Sequence, residues 1–149
     1  MSFPTDRLRR LRRKGTFRRM VQETCLHLSD FIYPLFVMEG SGITTEIPSM
    51  PGINRFSPDR LAEEVQEIAS LGLSSVILFG IPAQKDPVGT SACQADGVIQ
   101  EAIRCIKKEV PELVVITDVC LCEYTSHGHC GVIKGDEVEN DATLAKRGK

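Results

Sequence analysis

The chain has 149 residues, room for one ordinary domain with a sizeable core, and is 42% hydrophobic, 26% charged and without Trp, as soluble globular proteins are. No apolar run approaches the roughly 20 residues that cross a bilayer and no apolar signal core opens the sequence, so nothing argues for export or a membrane, and a cytoplasmic protein is expected. The formal net charge of −2 hides an imbalance: residues 1–19 hold eight of the 18 Lys and Arg against one acid, Asp6, and the remaining 130 residues carry a net −9.

A basic arm on an acidic body suits nucleic acid, an anionic surface, an organellar presequence or the acidic body of a neighbouring subunit. No aromatic platform or recognition helix accompanies it, so no nucleic-acid partner is expected. The arm, residues 1–28, is read as an inter-subunit element, and 29–149 as the body.

After the arm, "DFIYPLFVM" (Asp30–Met38) is a compact apolar run read as a buried strand. "EGSGITTEIPSMPGINRFS", punctuated by Gly40, Gly42, Pro48, Pro51 and Gly52, is read as a loop. In "SPDRLAEEVQEIASLG", Ser57 is a good N-cap and Pro58 suits the first helical position. Leu61, Val65 and Ile68 share one face of that helix before Gly72 ends it. "SSVILFG" (Ser74–Gly80) is a second buried strand. A Gly/Pro-containing loop then leads to "VIQEAIRCIKKEV", whose apolar spacing predicts an amphipathic helix closed by Pro111. "LVVITDVC" (Leu113–Cys120) is the third strand. Apolar strands alternating with helices predict an α/β fold of parallel strands covered by helices. No dinucleotide or P-loop glycine motif follows a strand. Three β/α units in about 120 residues is the pace of a (β/α)8 barrel, cut short.

Chemistry concentrates in "DVCLCEYTSHGHCG", Asp118 to Gly131. Alternation along a strand places Asp118, Cys120 and Cys122 on one side at its C-terminal end, where ligands collect in parallel α/β folds. Gly128 and Gly131 allow the loop to return Cys130 to the other two thiols. C-x-C-x7-C is not the paired C-x2-C spacing of zinc ribbons. Three thiolates leave one tetrahedral position, closed and structural if His127 or His129 fills it, catalytic if water or substrate does; spacing leaves both open. The plain alternative makes Cys120 and Cys122 small apolar fillers, which is how Cys25, Cys93 and Cys105 are read. His27 is read as an ordinary surface or packing residue, and His127 and His129 as hydrogen-bond donors behind the metal ligands or as solvated loop residues. Glu123 is expected to point away from the Asp118 side.

These stretches resemble a known family. "DVCLCEYTSHGHCGVI" with "GDEVENDATL" is similar to the metal-binding region of zinc-type porphobilinogen synthases, also called delta-aminolevulinic acid dehydratases. "IYPLFV", "MPGINRFS", "LFGIP", "KDPVGTSA" and "LVVITDVC" follow that family in the same order. The resemblance implies a (β/α)8 TIM barrel, here its first three units, with an N-terminal arm that wraps a neighbour in a homo-octamer. It implies a hydro-lyase condensing two 5-aminolevulinate molecules to porphobilinogen, with Cys120, Cys122 and Cys130 as zinc ligands and Asp118 as an active-site carboxylate. It also implies two Schiff-base lysines, which none of Lys14, Lys85, Lys107, Lys108, Lys134, Lys146 or Lys149 matches. The tail "AKRGK" is polar where the family continues into an amphipathic helix, so no helix is expected after Asn140. A truncated chain, inactive by itself, is therefore expected, and the alternative is a small structural module with a closed Cys3His zinc site.

Overall fold

In a computed structural model describing residues 9–147, three parallel strands organise the body: β1 (Tyr33–Met38), β4 (Ser75–Ile81) and β5 (Val114–Thr117). β4 lies between the other two, in register from Tyr33↔Val76 to Met38↔Ile81 on one side and from Ser75↔Val114 to Leu78↔Thr117 on the other. Two helices, α2 (Leu61–Ser70) and α3 (Val98–Glu109), make the crossovers. Leu61, Val65 and Ile68 of α2 and Val98, Ala102 and Ile106 of α3 turn their apolar stripes onto Leu35, Val37, Val76 and Leu78. The opposite face of the sheet is less covered; there Phe36 and Phe79 stack with centroids 5.4 Å apart.

The glycine- and proline-rich stretch after β1 is not a loop. It forms β2 (Thr44–Ile47) and β3 (Met50–Phe56), an antiparallel hairpin whose inner strand pairs parallel with β1, giving the order β2-β3-β1-β4-β5 in a mixed sheet. The hairpin accommodates its helix-breaking residues through irregularity. Pro48 and Ser49 make the two-residue turn, and Pro51 and Gly52 fall where the register slips after Glu46. Gly52, at φ 82°, donates its N–H to the Glu46 carboxylate at 2.8 Å.

Ser57 takes the expected position, its carbonyl accepting the Arg60 N–H at 2.9 Å, but its hydroxyl does not cap the helix. It donates to Asp59 Oδ1 at 2.6 Å and accepts the Ile43 N–H at 2.9 Å, while the Asp59 carboxylate accepts the Gly42 N–H. These bonds fasten the entry of the hairpin to the start of α2.

Two further expectations fail. β5 stops at Thr117, three residues short of the expected Cys120. A helix, α4 (Asn140–Arg147), does form after Asn140. Glu139 caps it, accepting the Ala142 N–H on its carboxylate at 2.6 Å and the Thr143 N–H on its carbonyl at 3.1 Å. Capping and the Thr143 contacts outweigh the weak apolar face of the tail. Before α4, β6 (Ile133–Lys134) and β7 (Glu137–Val138) make a small antiparallel hairpin, which carries Lys134.

Within the arm, residues 1–8 lie outside the described residues, as does Lys149. The described part carries a short 3-10 turn (Arg10–Arg12) and α1 (Gly15–Met20), exposed throughout, with Phe17, Met20, Val21 and Leu26 open to solvent.

Candidate metal centre

β5 delivers the cysteine segment and then leaves the sheet. The Asp118 N–H makes one more ladder contact, to the Leu78 carbonyl at 3.4 Å, after which the chain turns. The N–H groups of Tyr124 and Thr125 both donate to the Leu121 carbonyl at 2.9 Å, closing a tight turn that holds Cys122. Strand alternation therefore does not align Asp118, Cys120 and Cys122. The turn folds Cys122 back on Cys120, leaving their sulfurs 3.0 Å apart, and Cys130 returns to within 3.1 Å of Cys120. All three sulfurs lie within 4.8 Å of one another, and among the described residues no other such cluster of three potential metal donors exists.

The thiols interact strongly. At Cys120, burial works against ionisation, but its hydrogen-bonding contacts with Cys122 and Cys130 outweigh it and hold the thiol below its ordinary value. Cys122 is pushed up to about 12, first because it donates to Cys120 and then because it is partly buried. Three thiols gathered in mutual contact are an arrangement a divalent cation can bind as thiolates, releasing their protons. Tetrahedral zinc with bonds of about 2.3 Å needs sulfurs about 3.8 Å apart, so the cluster must open by under about 1 Å. Exposed Cys130 has room to move. The donor set fits a soft, tetrahedral metal.

Residues 84–90 brace the turn from the side. Asp86 pairs with Thr125 in an isolated parallel bridge: its N–H donates to the Tyr124 carbonyl at 3.3 Å, and its carbonyl accepts the Ser126 N–H at 3.0 Å. The Asp86 carboxylate accepts the N–H groups of Val88 and Thr90, which hold it below the usual carboxylate range. The Thr125 hydroxyl donates to the His129 carbonyl at 2.8 Å, bending the chain back before Cys130.

The histidines are used in this bracing. His127 Nε2 lies 3.0 Å from the Pro87 carbonyl, which can only accept, so Nε2 carries the proton. Its Nδ1 then accepts the His129 N–H at 3.1 Å. Both nitrogens of His127 are engaged, and neither histidine joins the sulfur cluster, so the closed Cys3His arrangement gains no support. His27 is exposed, Cys25 is exposed, Cys105 packs against the core, and the Cys93 thiol donates to the Lys146 carbonyl at 3.4 Å.

Glu123 departs from its reading. Because the strand ends early, its side chain turns to the sheet, where Oε2 accepts the Gly80 N–H at 3.1 Å. Burial first, and Asp118 nearby, raise its pKa, while the Gly80 bond works in the opposite direction. Sequence alternation concealed it, because the signal that a strand ends is tertiary. Beside the cluster, a cavity of about 280 Å³ is lined by Ile103, Thr117, Asp118, Cys120, Tyr124 and Lys146, among others. Asp118 is exposed at its mouth. Burial, with Glu123 and Asp118 adding to it, pushes Tyr124 up to about 12, so its phenol stays protonated.

At the C-terminal strand ends of an α/β sheet, three thiols that could hold a metal ion thus lie with a carboxylate beside a cavity. A family profile described as delta-aminolevulinic acid dehydratase matches residues 5–149. Delta-aminolevulinic acid dehydratase of Halalkalibacterium halodurans is 52% identical over 138 residues, covering 93% of this chain and 42% of that protein. The Bacillus subtilis protein of the same name is 51% identical over 144 residues, covering 97% of this chain and 44% of its own. The chain thus spans less than half the length of these relatives. A crystal structure of delta-aminolevulinic acid dehydratase (porphobilinogen synthase) from Toxoplasma gondii, in complex with the reaction product porphobilinogen, superposes with a TM-score of 0.89 at 34% identity. It covers 95% of this chain and 41% of that one. The chain belongs to the delta-aminolevulinic acid dehydratase family.

Proposed function

We propose that this chain forms the metal-binding portion of a porphobilinogen synthase, the lyase that condenses two 5-aminolevulinate molecules, with loss of water, to porphobilinogen for haem and other tetrapyrroles. The observation that carries this reading is the cluster of Cys120, Cys122 and Cys130 past β5, beside Asp118, in a chain of this family. Lewis acidity at a substrate oxygen is the chemistry that zinc supplies when bound by three thiolates with a fourth position open. Asp118, at the cavity mouth, binds the substrate amine or moves its proton. Tyr124 and Ile103 supply a wall that limits water around it.

In the same reading, residues 29–149 are the opening units of a (β/α)8 barrel, and the half-covered face bearing Phe36 and Phe79 is its interior. Residues 1–28 reach a neighbouring copy in a homo-octamer, where Phe17, Met20 and Val21 find cover. The protein is cytoplasmic; among the described residues no helix is long and apolar enough to cross a membrane.

The 149 residues by themselves do not turn over 5-aminolevulinate. A Schiff-base lysine needs a desolvated amine. Among the described lysines, Lys14, Lys85, Lys107, Lys108 and Lys134 are exposed, and only half-buried Lys146 borders the cavity. Cobalt substitution tests the centre: intense thiolate-to-cobalt absorption is expected, perturbed by 5-aminolevulinate and lost when all three cysteines become serine. A spectrum indifferent to those substitutions would sink the metal reading. Borohydride reduction with 5-aminolevulinate is expected to leave no lysine adduct, and a stoichiometric adduct on Lys146 would overturn the statement about activity.

A further inference from the structure

We propose that Glu123 is a positioning residue for the thiol cluster, anchoring the turn that carries Cys122 to the end of β4 through the Gly80 N–H. The significance of the cluster rests on the metal reading above; the anchoring itself rests on the following geometry. β5 pairs with β4 only as far as Leu78↔Thr117, and the Asp118 N–H makes the last contact. Beyond that point Gly80, paired with Val37 of β1 on one side, has no β5 residue beside it on the other, and the Glu123 carboxylate takes its N–H at 3.1 Å. A side chain has replaced the ladder where the strand peels away, and it comes from the residue next to Cys122.

Gly80 itself is shaped for this contact. Its φ is not positive, so its backbone conformation does not call for glycine. A Cβ there would instead strike the Tyr124 hydroxyl and meet Ile99 Cγ1 at 2.8 Å. Gly80 is thus a socket receiving two consecutive residues of the turn, Glu123 by hydrogen bond and Tyr124 by packing. The other ties to the turn, through Asp86 and Thr125, begin only at Tyr124. Among these ties, Glu123 stands nearest to Cys122. Without it the turn stays docked at its far end while Cys122 loses its fixed place, and with it the sulfur separation a tetrahedral metal requires.

The full chain tests this with Glu123→Gln and Glu123→Ala. The glutamine keeps an oxygen acceptor for the Gly80 N–H, and the alanine removes it. Zinc affinity measured by chelator competition is expected to fall about tenfold in E123A and to stay within about threefold of the unsubstituted chain in E123Q. In the metal-free chain, hydrogen exchange of the Gly80 amide is expected to accelerate in E123A and not in E123Q. Unchanged zinc affinity in E123A, or E123Q as impaired as E123A, overturns the proposal. If the unsubstituted chain binds no zinc, the metal reading fails; amide exchange still decides the anchor, and unaltered Gly80 exchange in E123A sinks it.

Discussion

Gly80→Ala places the socket under direct strain. The new methyl group falls against the Tyr124 hydroxyl, with Ile99 Cγ1 at 2.8 Å and Ile99 Cδ1 at 3.2 Å, so Tyr124, only 7% exposed, must shift for it to fit. Overpacking of this kind costs roughly 1–3 kcal/mol. Replacing glycine by alanine within a strand returns roughly 0.5–1 kcal/mol through the unfolded chain. The net loss is about 1–2 kcal/mol, or roughly 3–6 °C in Tm for a chain of this size. Urea unfolding followed by circular dichroism measures the loss, and chelator competition reads the metal site on the same sample. Because the strain falls on the turn, zinc affinity is expected to drop together with stability, whereas a core cavity of equal cost would leave it unchanged. Stability and zinc affinity both matching the unsubstituted chain would refute the socket, since it would mean that Tyr124 does not occupy the space over Gly80.

Ile106→Ala, at a fully buried position of α3, is expected to cost about 2–5 kcal/mol in urea unfolding while leaving zinc affinity of the folded chain nearly unaltered. Asp59→Asn is expected to destabilise at neutral pH. The Ser57 hydroxyl and then the Gly42 N–H hold the Asp59 carboxyl below its ordinary 3.8, so its contribution is present above that pH and fades as pH falls through the lowered value. Thermal melts from pH 7 to pH 2.5 should show the two proteins converging at the acid end. Zinc at 100 times its dissociation constant should raise stability by about 2.7 kcal/mol, reversed by chelator and absent when Cys120, Cys122 and Cys130 are all serine.

The three parallel strands, the two crossover helices and the cysteine-rich segment after the last strand were legible without coordinates. Those depend on local periodicity: Leu61, Val65 and Ile68 recur on a helical face whatever surrounds them, and "SSVILFG" has too few polar positions for anything but burial. The family was legible for the same reason, being carried by contiguous motifs. The remaining features depend on contacts between distant segments. Residues 44–56 carry turn-forming glycines and prolines, yet they become a hairpin because β1 offers Phe36 and Val37 as parallel partners for Arg55 and Phe56. A strand's end depends on its neighbours, so alternation carried the reading past Thr117 and sent Glu123 the wrong way. The sulfurs of Cys120, Cys122 and Cys130 meet through a turn braced by Asp86, whose hydrogen bonds span some forty positions of chain. Pairings that distant leave no periodic trace, and the socket at Gly80 becomes visible only once Tyr124 is seen lying over it.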